Sequence, residues 1–167
     1  MQEAPCLPLS DESITRAADL LRGGGLVAFP TETVYGLGSD ACNAAAVASI
    51  FAAKGRPAFN PLISHVASAS EAFALGIETP AARRLADAFW PGPMTLILQR
   101  APNCPIASLT SAGLDRIALR VPAHEGARRL LQQFDGPVAA PSANPSGRIS
   151  PSRAAHVMAG LGEEIDM

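Results

Sequence analysis

Apolar positions along the chain alternate between a spacing of three to four and short unbroken runs, the signatures of amphipathic helix and buried strand. Ser10 stands before Asp11 and Glu12, and Ile14, Ala17, Ala18 and Leu21 then recur at helical spacing. A serine there satisfies a free N–H of the first turn, and the acids face the positive end of the helix dipole. Gly23-Gly24-Gly25 stops that helix, and Leu26 to Phe29, closed by Pro30, predicts a buried strand. Asn43 predicts the cap of a second helix, with Val47, Ile50 and Phe51 on its apolar face and Gly55 at its end. Leu62 to Val66 reads as a strand. Thr79-Pro80 is a strong start signal, since proline at the first helical position gives up an N–H that has no partner. That helix carries Leu85, Ala88 and Phe89, and Pro91-Gly92-Pro93 terminates it. Met94 to Leu98 predicts a strand, residues 101–115 a loop, Ile117 to Val121 a strand, and Leu130, Leu131 and Phe134 a helix. Pro137 to Ala140 predicts a strand, Ser150-Pro151 opens a last helix closing near Gly160 and Gly162, and Ile165-Asp166-Met167 begins a further strand.

Strands that alternate with helices along most of a chain specify an α/β sheet flanked by helices. The 167 residues suit one domain with a sizeable core, and no repeat, low-complexity stretch or linker divides them. Hydrophobic residues make up 48% and charged residues 17%, which excludes a disordered chain. Aromatics at 5% provide no stacking platform for single-stranded nucleic acid. A net charge of −2 favours a near-neutral enzyme over a protein that clamps phosphate backbones, so any RNA contact must come from a local patch. Arg83-Arg84 and Arg128-Arg129 fit either solvated helix faces or such a patch. Cys6, Cys42 and Cys104 form no C-x-x-C pair and read as reduced thiols of a cytosolic protein. The stretch MQEAPCLPLSDES lacks the basic-then-apolar pattern of a signal, and no apolar run approaches the roughly 20 residues of a membrane span.

In open α/β sheets ligands bind beyond the carboxyl ends of strands, and three polar segments are assigned to such ends here. Residues 30–38, PTETVYGLG, offer hydroxyls, a carboxylate, a phenol and glycines that admit a ligand to the backbone; a turn with a solvated carboxylate fits equally. Residues 54–65, KGRPAFNPLISH, release Lys54 and Arg56 together from a helix end, with Pro57 and Pro61 stiffening the loop. Cations there complement the helix dipole, and they also suit a polyphosphate, for which lysine is a point charge and arginine a planar fork. His65 falls near the end of a strand, where a histidine is more often packed or solvated than functional. Residues 140–151, APSANPSGRISP, are dense in hydroxyls ahead of a helix start, as in an anion site or an ordinary loop. His124 and His156 fall in predicted helices without ligand partners and read as structural or surface residues. The chain has no G-x-x-x-x-G-K-[ST], G-x-G-x-x-G, G-x-S-x-G or H-E-x-x-H, so P-loop, dinucleotide-binding, serine-hydrolase and zinc-protease chemistry find no support.

Taken together, PTETVYGLG (30–38), KGRPAFNPLISH (54–65), RVP (120–122) and APSANPSG (140–147) resemble the threonylcarbamoyl-AMP synthase family, the YrdC-like domain proteins, over roughly residues 10 to 166. The resemblance implies a twisted mixed sheet flanked by helices with an open concave cleft. It implies synthesis of threonylcarbamoyl-adenylate and pyrophosphate from L-threonine, bicarbonate and ATP with Mg²⁺, in the cytoplasm, and supply of the product to a tRNA-modification transfer complex. Thr33, His65, Arg120 and the backbone at Ala140 would then contact threonine. Lys54, Arg56, Asn60, Ser142 and Ser150 would contact ATP, with Lys54 and Arg56 carrying the catalytic charge. Arg116 stands where the family often has a small hydroxyl residue facing the nucleotide. Family members continue through a further strand and a Glu-Ser-Thr-type motif, so a single YrdC-like domain over 1–167 lacking its C-terminal part is expected. A non-catalytic module on the same fold, binding double-stranded RNA, tRNA or the ribosome, is the second reading. A relative of the domain that handles carbamoyl phosphate in hydrogenase maturation is the third, and a Ser142–His65 hydrolase a distant fourth.

Overall fold

The computed structural model describes residues 3–167; Met1 and Gln2 of the acidic N-terminal stretch lie outside them. Helix α1 (Asp11–Arg22) is capped by Ser10, whose side chain accepts from Ser13 N while Ser13 Oγ takes the Ser10 N–H. Strand β1 (Val27–Phe29) and strand β2 (Gly36–Asp40) follow, then α2 (Ala44–Lys54), with Asn43 accepting from the Ala45 and Ala46 amides and Gly55 closing the helix at φ 57°. Strand β3 (Ile63–His65), α3 (Ala69–Leu75), α4 (Pro80–Phe89), β4 (Leu96–Gln99) and β5 (Arg116–Arg120) come next. The chain then forms α5 (Glu125–Phe134), the short β6 (Val138–Ala139) and α6 (Ala154–Leu161).

The six strands form one mixed sheet in the order β1-β2-β6-β3-β5-β4. Among the described residues only β3 and β5 run parallel; β1–β2, β2–β6, β6–β3 and β5–β4 are antiparallel. The α/β class with a mixed sheet is therefore as the sequence implied.

Alternation along the strands assigns two faces. On one face Leu37, Ala139, Leu119, Leu98 and Leu96 pack against Val47, Ile50 and Phe51 of α2, Leu75 of α3 and Ala82 and Ala86 of α4. On the other, Val27, Phe29, Val138 and Ala140 are covered by Ala17, Ala18 and Leu21 of α1 and Leu130, Leu131 and Phe134 of α5. Removing a side chain such as Leu21, Leu37 or Leu130 from water contributes about 1.5–3 kcal/mol each. The β3-β5-β4 half of this second face carries no such cover. Ile97 pairs with Ala118 and Gln99 with Arg116, and Ile97 is 66% exposed with Gln99 and Arg116 also exposed. The part of this face at Ile97, Gln99 and Arg116 is thus open floor, while His65 and Arg120 on the same face are buried.

Several expectations are corrected here. The glycine-bearing stretch after Tyr35 is strand β2 and not loop, because Gly36 and Gly38 lie under Phe29, Ala140 and Val138, where a β-carbon would crowd. Helix α3 was not foreseen; Ser68 accepts from Glu71 N, and Glu71 accepts from Ala67 N and Ser68 Oγ. Helix α4 buries Ala82 and Ala86 and leaves Leu85 and Phe89 exposed at 42% and 56%. The last helix starts at Ala154 and not at Ser150-Pro151, with Arg153 as an N-cap that makes no side-chain bond. The loop over 101–115 contains a 3-10 turn, Ser108–Ser111. The final residues do run along the sheet, with Asp166 N donating to Leu26 O at 3.0 Å and Ala28 N to Met167 O at 2.7 Å.

Candidate active site

His65 and Arg120 close β3 and β5 side by side in parallel register. Both are buried, at 2% and 7% exposure. Arg120 Nε donates to Gly92 O at 3.3 Å, Nη2 pairs with Glu32 Oε1 at 2.9 Å, and Nη1 and Nη2 each lie 3.3 Å from Thr33 Oγ1. The loop 30–35 is shaped for this by Thr31, whose hydroxyl donates to Val34 O and accepts from the Val34 amide. His65 faces the edge of Phe29, and among the described residues its buried Nδ1 has no hydrogen-bond partner. Burial, and next the Arg120 charge, push the imidazole down to about 4, against the raising effect of Glu32. It is neutral at physiological pH. Burial raises the Glu32 carboxyl, but the Arg120 guanidinium and the backbone N–H groups at Glu32 and Ala123 outweigh it and hold the group below its ordinary value.

A second cluster lies at the opposite edge of the sheet. Lys54, only 3% exposed, turns its ammonium onto the Ser142 and Asn144 carbonyls, and its own carbonyl accepts from Ser146 N at 2.7 Å. Burial, followed by the Arg56 charge, lowers the Lys54 ammonium to about 8. Arg56 spans its own loop, donating from Nε to Asn60 O at 3.4 Å and from Nη2 to Pro61 O at 3.1 Å, and burial lowers it as well. Ser142 bridges Gly36, and Pro151 O accepts from Tyr35 N at 2.8 Å, which brings the Ser150 segment beside the loop 30–35. Asn144 ties this loop internally through Nδ2 to Pro145 O and Arg148 O, while its Oδ1 is buried and unbonded.

Thr33, His65 and Arg120 are therefore brought together, with Ala140 donating its N–H to Ile63 O two residues down β3 from His65. Lys54, Arg56, Asn60, Ser142 and Ser150 gather on the second loop cluster. The clusters do not share one strand end, as the strand-end rule for open sheets would have placed them. Because the sheet is mixed, the ends of β1 and β6 point to one edge and those of β3 and β5 to the other. The loop after β1 reaches Arg120 across the face. Arg116 lies at the far end of β5 from Arg120, on the same face and about 13 Å away. His124 is the N-cap of α5 and not a residue inside it, its Nδ1 accepting from Gly126 N at 3.0 Å. Lys54 is buried against carbonyls and not a solvated end charge.

Comparison with known proteins gives the chain a family. The model of the Sua5/YciO/YrdC family, described as telomere recombination, matches residues 19–167. The chain belongs to the Sua5/YciO/YrdC family. It is 51% identical over 150 residues to the threonylcarbamoyl-AMP synthase of Pyrococcus abyssi (strain GE5 / Orsay), covering 89% of this chain and 44% of that one. It is 48% identical over 152 residues to that of Bacillus subtilis (strain 168), covering 90% and 44%. The crystal structure of P. abyssi Sua5 complexed with L-threonine superposes with a TM-score of 0.90 at 48% identity, covering 95% of this chain and 46% of that one. The chain thus spans less than half the length of these relatives. Family membership was legible in the motifs; the Glu32 bridge to Arg120 was not, because no spacing rule links residues so far apart.

Proposed function

We propose that this chain carries the threonine- and ATP-binding part of an L-threonylcarbamoyladenylate synthase, a nucleotidyltransferase serving tRNA threonylcarbamoyladenosine formation in the cytoplasm. The observation that carries the reading is the buried Arg120 guanidinium set against Thr33 and beside His65. Support comes from the relatives named threonylcarbamoyl-AMP synthase and from the threonine complex of P. abyssi Sua5. Arg120 would hold the threonine carboxylate, with Thr33, His65 and the Ala140 backbone around the rest of the molecule. Lys54, Arg56, Asn60, Ser142 and Ser150 would take ATP.

In this reaction the threonine amine and bicarbonate give a carbamate with loss of water, and a carbamate oxygen attacks the α-phosphorus of ATP and expels pyrophosphate. Such a transfer needs positioning and charge stabilisation more than a protein nucleophile. Mg²⁺ would arrive on the ATP phosphates. Among the described residues no group of three or more His, Cys, Asp or Glu is placed to hold a metal. No described helix is long and apolar enough to cross a membrane.

The test is pyrophosphate release from ATP that depends on both threonine and bicarbonate, with calorimetric threonine binding selective over serine and valine. Saturable, selective binding supports the reading; none, in this chain and in a longer natural form, would sink it. A module that binds double-stranded RNA or tRNA without nucleotide would then take its place, marked by a steep salt dependence.

A further inference from the structure

We propose that Glu32 is a positioning residue, holding the Arg120 guanidinium so that an Nη1 N–H stays free and aimed at the carboxylate of an amino-acid substrate. The nature of the substrate rests on the synthase reading above. An arginine has five N–H donors in a fixed fork. Here Nε is taken by Gly92 O, Nη2 by Glu32 Oε1, and both terminal nitrogens face Thr33 Oγ1. Among the described residues one N–H remains uncommitted, on Nη1. The other Glu32 oxygen, Oε2, accepts from His124 N at 3.4 Å. One carboxylate therefore joins the loop 30–35, the end of β5 and the start of α5.

The side chains are 8% exposed for Arg120 and 21% for Glu32. A pair so far removed from water adds little net stability, because desolvation offsets most of the attraction. It does fix direction: a planar fork held at Nε and Nη2 presents Nη1 in one orientation. The depressed Glu32 carboxyl keeps this restraint charged at neutral pH.

The experiment compares Glu32→Ala and Glu32→Gln with the wild-type chain. Nitrogen-15 NMR of the Arg120 side chain reads the restraint directly: separate Nη signals in the wild type, averaged signals in Glu32→Ala. Calorimetry reads the consequence. Threonine affinity is expected to fall about tenfold in Glu32→Ala and to be partly restored in Glu32→Gln, whose amide oxygen keeps an acceptor at the same reach. ATP affinity is expected to stay within about twofold. Unchanged threonine affinity in Glu32→Ala, or parallel loss of threonine and ATP binding in both variants, overturns the proposal while the synthase reading stands. A wild-type chain that binds no threonine overturns that reading and this inference together.

Discussion

The Thr33 hydroxyl lies 3.3 Å from both terminal nitrogens of Arg120, across a sequence separation of 87 residues. Replacing Thr33 by valine removes the acceptor and keeps the shape. A lost hydrogen bond to a charged group is worth about 1.5–3 kcal/mol. Thr33→Val is expected to weaken threonine binding by at least about tenfold, and Thr33→Ser to recover most of it, both read by calorimetry. Equal binding by Thr33→Val would remove Thr33 from the substrate site.

His65 gives the fold a defined acid limit. Its folded value of about 4 lies below the ordinary 6.5, so on acidification the unfolded chain takes up the proton first. The stabilisation is complete above pH 6.5 and is lost as pH falls from 6.5 to 4, on the order of 3 kcal/mol over the window. Glu32, depressed by Arg120, adds loss of the same sign at its lower end. Urea unfolding from pH 7 to 4 should show this slope in the wild type and a shallower one in His65→Gln.

Lys54 is expected to show opposite pH trends in binding and in stability. Its ammonium is lowered to about 8, so phosphate attraction fades as pH rises through that value. ATP affinity should fall between pH 7 and 9. Folding stability should rise from about pH 8 toward the ordinary 10.5, because there the unfolded chain binds the extra proton. Lys54→Met should abolish both trends and lower the melting temperature, since the Ser142 and Asn144 carbonyls lose their donor. Parallel trends in the wild type would refute this account.

Gly38→Ala tests the floor under β1. Its β-carbon would stand 2.8 Å from Phe29 Cε1 and 3.0 Å from Val138 Cγ1, closer than packed carbons approach. A destabilisation of about 1–3 kcal/mol is expected by denaturant titration. A neutral result would mean that the Phe29 ring turns aside freely.

The fold class was legible because most elements announce themselves locally. Ser10, Asn43 and Thr79 cap the helices their positions suggested. Strand β2 escaped notice because its residues, Gly-Leu-Gly-Ser-Asp, have turn chemistry and are made a strand by β1 and β6 on either side. Helix α3 carried a readable signal, serine followed three residues later by glutamate. The helix start assigned to Ser150 failed because Pro151 directs its carbonyl to Tyr35 N instead of into a helix. Of the site, residue types were legible from the motifs. What Lys54 and Glu32 touch was not, since their partners lie 88 to 92 residues away.

The ties that build the site also close long loops of chain: Arg120 to Gly92 over 28 residues, Arg120 to Thr33 over 87, Lys54 to Asn144 over 90. A contiguous fragment must run from residue 33 to residue 144, through five of the six strands, to contain them all. The ability to bind therefore belongs only to molecules whose whole sheet is assembled, and bound ligand acts on global and not local opening. In hydrogen exchange, amides of β1, β3 and β5 should slow by one common factor on ligand addition, which makes occupancy of this site a direct count of completely folded chains.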